Sequence, residues 1–347
     1  MTRRLSKCWF IGVFLFLCAP IFAQYEDIEA HPTYYPAIKK HFSSIALEPD
    51  QRIIVIGEDH DFETDNVLIR LAMIEELIQR GKPFHVVLEF PYSVGLLINR
   101  YLQHDDQTIL EHIVSRQWTW EIFYEIRQMK VLYDQSSIKF EVHGTDVPWQ
   151  GTPRLTLLAL NDIFKRNNTA ANHWAPEIRE LFELTQQQEG QARKQLVKEL
   201  GHLSENIVEQ LNTPNTYQRE AELFDEDWST LVQLIQHYAF GERHRKNKKG
   251  TNREVFIYQN TLQLLNQHPT DYFYIHYGLA HINKGEAFCY CDGPEEPFVK
   301  KLSKQGHSIF NILPVYNYTT LWKKEFSWAK QDANRPFMVG IKSLFPN

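Results

Sequence analysis

The sequence predicts an α/β fold with a mainly parallel central sheet flanked by helices, and three observations carry that prediction. Four short runs, Ile53-Ile54-Val55-Ile56, Phe84-His85-Val86-Val87-Leu88, Lys139-Phe140-Glu141-Val142-His143 and Tyr272-Phe273-Tyr274-Ile275, are rich in the β-branched and aromatic residues of strands buried on both faces. Helical periodicity fills the stretches between them, and the first such unit has the length of a βαβ crossover. Each run also ends in residues that carry chemistry: Gly57-Glu58-Asp59-His60, Glu89, Gly144-Thr145-Asp146 and Gly278-Leu279-Ala280-His281. Open α/β sheets bind ligands outside the carboxyl ends of their strands, so these four ends describe one pocket.

The chain opens with Arg3, Arg4 and Lys7, an apolar stretch from Cys8 to Phe22, and Ala23 before a polar Gln24. That pattern is a secretory signal peptide cut after Ala23; its core is shorter than the roughly 20 residues a membrane-spanning helix needs. Residues 24–347 form the mature α/β domain, exported to the periplasm or the extracellular medium, with no stable membrane anchor expected after cleavage. Cleavage removes three cations and takes the formal net charge from −6 to −9. An acidic chain has no general attraction to nucleic acid. The one basic run, Arg243 to Lys249, reads as a solvated loop. Cys289 and Cys291 alone remain after cleavage, which gives no disulfide framework; a reduced pair, a local disulfide and a soft-metal site are all open to them.

After a polar segment containing Pro32 and Pro36 comes the first strand, then a helix capped by Thr64. Its apolar stripe is Val67, Leu68, Leu71, Ile74, Leu77 and Ile78, and Gly81 with Pro83 stops it. Helices are predicted from Ser93 to about Leu102 and from Trp120 to Tyr133. From Arg154 to about Arg245 the pattern is helical throughout. We read it as a large insertion lying against or over the strand ends, either walling the pocket or standing apart as a structural bundle. A helix from Asn252 to Gln267, the Tyr272 strand and a last strand from Ser308 to Leu313 complete the sheet.

Alternation along an extended segment puts Glu58 and His60 on one side. His60 titrates near neutral pH and can take a proton from water, with Glu58 or Glu89 holding its tautomer. Alternatively, His60 and His281 with one carboxylate make a three-ligand set for a divalent metal and its bound water. The cofactor reading is therefore none or a divalent metal ion. Asp146 can orient a histidine or cap a turn. Arg253 stands at the start of a helix, where a cation is unfavourable unless an anion compensates, and it can stabilise an oxyanion or pair with a site carboxylate. His143 and His276 read as satisfied core histidines. Serine and cysteine nucleophile motifs and phosphate-cradling glycine loops are missing from the sequence.

These residues, in this order, resemble the superfamily that joins the erythromycin esterases, the ChaN-like haem-uptake proteins and the TIKI/TraB proteases. The pieces that match are Ile56 to Asp61, Val87-Leu88-Glu89, Trp118 to Asp146, Arg253-Glu254 with Asn260, and Gly278 to His281. The stretch from Tyr92 through Asn99-Arg100-Tyr101-Leu102 is most similar to the esterase branch. That branch implies metal-independent hydrolysis with His60 as base and Glu58, Glu89 and His281 around it. Two features depart from it: Glu58 and His60 stand one residue closer, and Gly278 occupies the place of a histidine. The Gly-x-x-His form at both ends resembles the ChaN and TIKI branches, and TIKI-like members use a divalent metal. The sequence thus points to a hydrolase acting on an ester or amide, with a small-molecule or peptide substrate. The other reading is a binding protein for haem or another apolar ligand.

Overall fold

The four apolar runs form parallel strands, joined by a fifth from the C-terminal part of the chain. In the computed structural model the described residues are 35–47, 50–58, 63–114, 120–148, 152–167, 172, 174–187, 191–246, 253–282 and 296–312. The expected signal peptide, His60, the Cys289–Cys291 pair and the aromatic tail lie outside the described residues. In chain order the elements are α1 Tyr35–Ser43, β1 Ile53–Glu58, α2 Glu63–Gln79, β2 Phe84–Pro91, α3 Tyr92–His104, α4 Gln107–Val114, α5 Trp120–Gln135 and β3 Glu141–Asp146. The helical stretch follows as α6 Pro153–Arg166, α7 Ala175–Gln187, α8 Gln191–Leu211, α9 Pro214–Phe224 and α10 Trp228–Lys246. Then come α11 Arg253–Gln267, β4 Tyr272–Gly278, α12 Leu279–Ile282, α13 Phe298–Lys304 and β5 Ile309–Ile312.

The sheet order is β3-β2-β4-β1-β5, and every pairing among the described residues is parallel. β4 inserts between β1 and β2, so the chain order reverses across the centre of the sheet. Such a switch point opens a crevice at the carboxyl edge. Alternation sorts the strand side chains to two faces. Ile54, Ile56, Val86, Leu88, Val142 and Tyr274 pack in the larger core with α2, α3 and the helical stretch. Ile53, Val55, Val87, Phe273, Ile275 and Tyr277 pack against α11 and α13.

β3 is an edge strand, and its exposed backbone is managed by Asn99 of α3. The Asn99 amide donates to the Val142 carbonyl at 2.9 Å and accepts from the Val142 N–H at 2.7 Å, as a neighbouring strand would. Two expectations need correction. The segment around Pro36 is helical, since proline in the first turn of a helix removes no intrahelical hydrogen bond. The basic run begins inside a helix: α10 continues to Lys246.

Candidate active site

The carboxyl edge carries two ionic clusters, one rooted on each face of the sheet, and both line one cleft of about 490 Å³. Glu58 ends β1 on the face of the larger core. Its Oε2 accepts from Arg70 Nη1 of α2 at 2.5 Å, and His276 Nε2 of β4 lies 3.2 Å away. Arg70 also donates from Nε and Nη2 to both oxygens of Glu125 in α5, at 2.6 and 2.9 Å. On its other side His276 Nδ1 shares a 2.7 Å hydrogen bond with the Tyr274 hydroxyl. Burial opposes the charge on Arg70, but Glu125 and Glu58 overcome it and raise its pKa further.

The second cluster centres on Glu89, at the end of β2. Arg253, at the start of α11, donates to Glu89 Oε1 at 2.6 Å and grips both oxygens of Asp146 at 2.8 and 2.7 Å. The Gly278 N–H donates to Glu89 Oε2 at 2.8 Å, and His281 Nε2 stands 3.4 Å from Oε1. Burial pushes Glu89 up, but His281, Arg253 and the Gly278 N–H together hold it well below the usual carboxylate range. The other ring nitrogen of His281, Nδ1, bonds Glu254, whose second oxygen accepts the Phe298 N–H at 2.8 Å. Burial alone would lower the His281 pKa; Glu254 and Glu89 reverse that and push it up to about 10. His281 is therefore an imidazolium at neutral pH.

The structure thus brings Glu89, Asp146, Arg253 and His281 into one bonded group and sets Glu58 in a neighbouring one on the same cleft. His60, two residues past Glu58, lies outside the described residues. Arg70 and Glu125 belong to the site although sequence reasoning passed over them, and Glu254 and His276 belong to it although they were given no role there. His276 is buried as expected, but it pairs with Glu58 and lines the cleft. The signal for Arg70 and Glu125 was present: each puts a charge on an apolar helix face, Arg70 between Val67 and Ile74, Glu125 between Ile122 and Met129. The helical stretch contributes no lining residue among those described. It touches the site indirectly, because Gly241 of α10 packs against Pro148, two residues beyond Asp146.

The groups of this cleft that could ligate a metal are bonded to one another. Both ring nitrogens of His281 face carboxylates, Nδ1 that of Glu254 and Nε2 that of Glu89. Glu89 and Asp146 share the single charge of Arg253, and Glu58 shares that of Arg70 with Glu125. Two guanidinium groups, Arg70 and Arg253, line the cleft among these carboxylates. Arg253 keeps 35% of its side chain exposed, within reach of an incoming group.

No family model matches the chain, and no curated protein sequence matches it. Solved structures do. A Bacillus cereus protein superposes with a TM-score of 0.50 at 14% identity, over 82% of this chain and 75% of its own. An erythromycin esterase mutant in its open conformation gives 0.48 at 15% identity, over 77% and 70%. The ChaN protein of Campylobacter jejuni, described with cofacially bound haem, gives 0.35 at 15% identity, over 83% and 88%. The structures found include members of the superfamily that the sequence resembles. At these identities the likeness is one of fold, shared with the Bacillus cereus protein.

Proposed function

We propose that this protein is an exported hydrolase that uses a histidine-activated water to cleave an ester or amide. The observation that carries this reading is the convergence of Glu58, Glu89, Asp146 and His276 from four strands, and of Arg253 from the start of α11, on one cleft. In the proposed reaction His60 takes a proton from water, and Glu58, fixed by Arg70 and His276, holds the His60 ring. The water oxygen attacks the carbonyl carbon. Negative charge grows on the carbonyl oxygen and is met by the Arg253 guanidinium, with His281 adding positive charge behind Glu89. The proton on His60 passes to the leaving oxygen or nitrogen as the scissile bond breaks. A binding protein for haem would present an apolar face with an axial tyrosine or histidine. Six of the ten described residues lining this cleft are charged or histidine, the kind of polar cluster hydrolysis needs.

The test is a panel of chromogenic esters and amides assayed with the mature chain, native and His60→Ala. General acid–base catalysis is typically worth about 10²- to 10⁴-fold, so a loss of that order is expected in a variant that still melts as the native protein does. Activity should persist after chelation and dialysis. Saturable haem binding with a Soret band and no turnover of any panel member would replace hydrolysis by binding. Full activity in folded His60→Ala would remove His60 as the base.

A further inference from the structure

At the opposite, amino-terminal edge of the sheet lies a second cluster of ligating side chains, and it serves none of the chemistry above. His85 is the second residue of β2, Glu141 and His143 open β3 on the same face, and Asp271 with His268 precedes β4. His85 Nδ1 is 3.0 Å from His143 Nε2 and 3.9 Å from Glu141 Oε2, while His143 Nε2 is 3.4 Å from the same oxygen. Three ligands of a tetrahedral zinc-type ion, with bonds of about 2.0–2.1 Å, stand about 3.3 Å from one another. The observed triangle brackets that spacing.

We propose that His85, Glu141 and His143 bind one divalent transition-metal ion of the zinc class, with a fourth position open to water. The far side of His85 is arranged for it. His85 Nε2 donates to Asp271 Oδ2 at 3.1 Å, which fixes the tautomer that leaves Nδ1 with its lone pair; carboxylate–histidine–metal relays are built this way. In the metal-free protein His143 must then donate from Nε2 to His85. Metal binding exchanges that hydrogen bond for two coordinate bonds, and the neutral His143 ring moves its proton to Nδ1. Burial first, then the neighbouring histidines, push His143 down to about 3 and keep the ring uncharged and ready to ligate. Burial likewise lowers His85, although Asp271 opposes it. Glu141 and His143 also line a cavity of about 280 Å³, which gives the triad a route to solvent. Bound there, the ion would clamp the edge strand β3 to β2.

The test uses the full chain without a histidine tag, stripped of metal and titrated with Co²⁺ and then Zn²⁺. The expected result is one Co²⁺ per chain with the visible absorption of a tetrahedral site, displaced by Zn²⁺. Glu141→Gln and His143→Gln should each weaken Zn²⁺ binding at least tenfold, and Asp271→Asn by about 10–100-fold. The Glu141 side chain is 53% exposed, so Glu141→Gln should keep the native circular dichroism and melting behaviour of the metal-free chain. A His60→Gln, His281→Gln double variant should bind Zn²⁺ as the native chain does. Absence of stoichiometric binding overturns the site, as does affinity unchanged in folded Glu141→Gln and His143→Gln.

Discussion

Arg253 and Asp146 meet side-on, guanidinium to carboxylate, with Nε to Oδ1 at 2.8 Å and Nη2 to Oδ2 at 2.7 Å. This pair joins the first residue of α11 to the last residue of β3, and the same Nη2 reaches on to Glu89 of β2 at 2.6 Å. A cation at a helix start is offset here by two carboxylates, which explains its position. Lysine cannot reproduce such a fork. Arg253→Lys should therefore cost about 10²- to 10³-fold in kcat, the worth of one oxyanion donor, while retaining the positive charge and most of the stability. Comparing kcat with melting temperature checks this; unchanged kcat would assign Arg253 to structure alone.

His281 makes stability fall at alkaline pH. Its folded pKa, about 10, lies above the ordinary value of 6.5. Its contribution is therefore fully present below about pH 6.5 and is lost as pH rises through about 10. Glu89 has the opposite sign: its folded pKa is depressed, so its contribution is present above about pH 4.5 and is lost as the pH falls below that. Urea unfolding at pH 7 and pH 10 should show the native chain weakening between the two, and His281→Gln weakening less. Equal slopes in both proteins would mean that His281 is uncharged when folded.

Arg70 is the central charge of the other cluster, and its removal should be structural in effect. Its side chain is 7% exposed and stands between Glu58 and Glu125, at 11% and 2%. Arg70→Met leaves two carboxylates buried without their cation, at a cost of about 3–5 kcal/mol in unfolding free energy. Adding Glu125→Gln should recover part of that loss. Additive losses in the double variant would show that the two side chains do not interact.

The sheet and its strand-end chemistry were legible because a strand buried on both faces shows as a short apolar run in any context. Glu89, Asp146, Arg253 and His281 were legible because each stands where such a run ends or a helix begins. Their partners were harder to see. Arg70 and Glu125 sit in helices whose apolar stripes conceal a single charge, and only the packing of α2 against α5 brings them together. His143 reads as a core histidine by position, yet its neighbour His85 lies 58 residues away in sequence, and only the β2–β3 register puts the two side by side. The order β3-β2-β4-β1-β5 likewise depends on a return of the chain that local pattern does not encode.

Gly144 gives the closest test of how backbone packing sets the site. A Cβ built there falls 2.2 Å from the Pro91 carbonyl oxygen and 2.4 Å from that of Phe90. Both are backbone atoms, so no side-chain rotation relieves the clash, and β3 must move relative to the end of β2. On the other side Gly95 brings α3 onto the same point, its own virtual Cβ 2.6 Å from the Gly144 nitrogen. Two glycines thus allow strand, strand end and helix to meet. Overpacking of this kind typically costs about 1–3 kcal/mol. Gly144→Ala should lower stability by that amount, and it should also reduce activity in the fraction that remains folded, because Asp146 is two residues further along the displaced strand. Gly95→Ala should cost similar stability through α3 and disturb activity less. Equal activity per folded molecule in native and Gly144→Ala protein would show that the Asp146–Arg253 pair tolerates the shift and does not set the catalytic geometry.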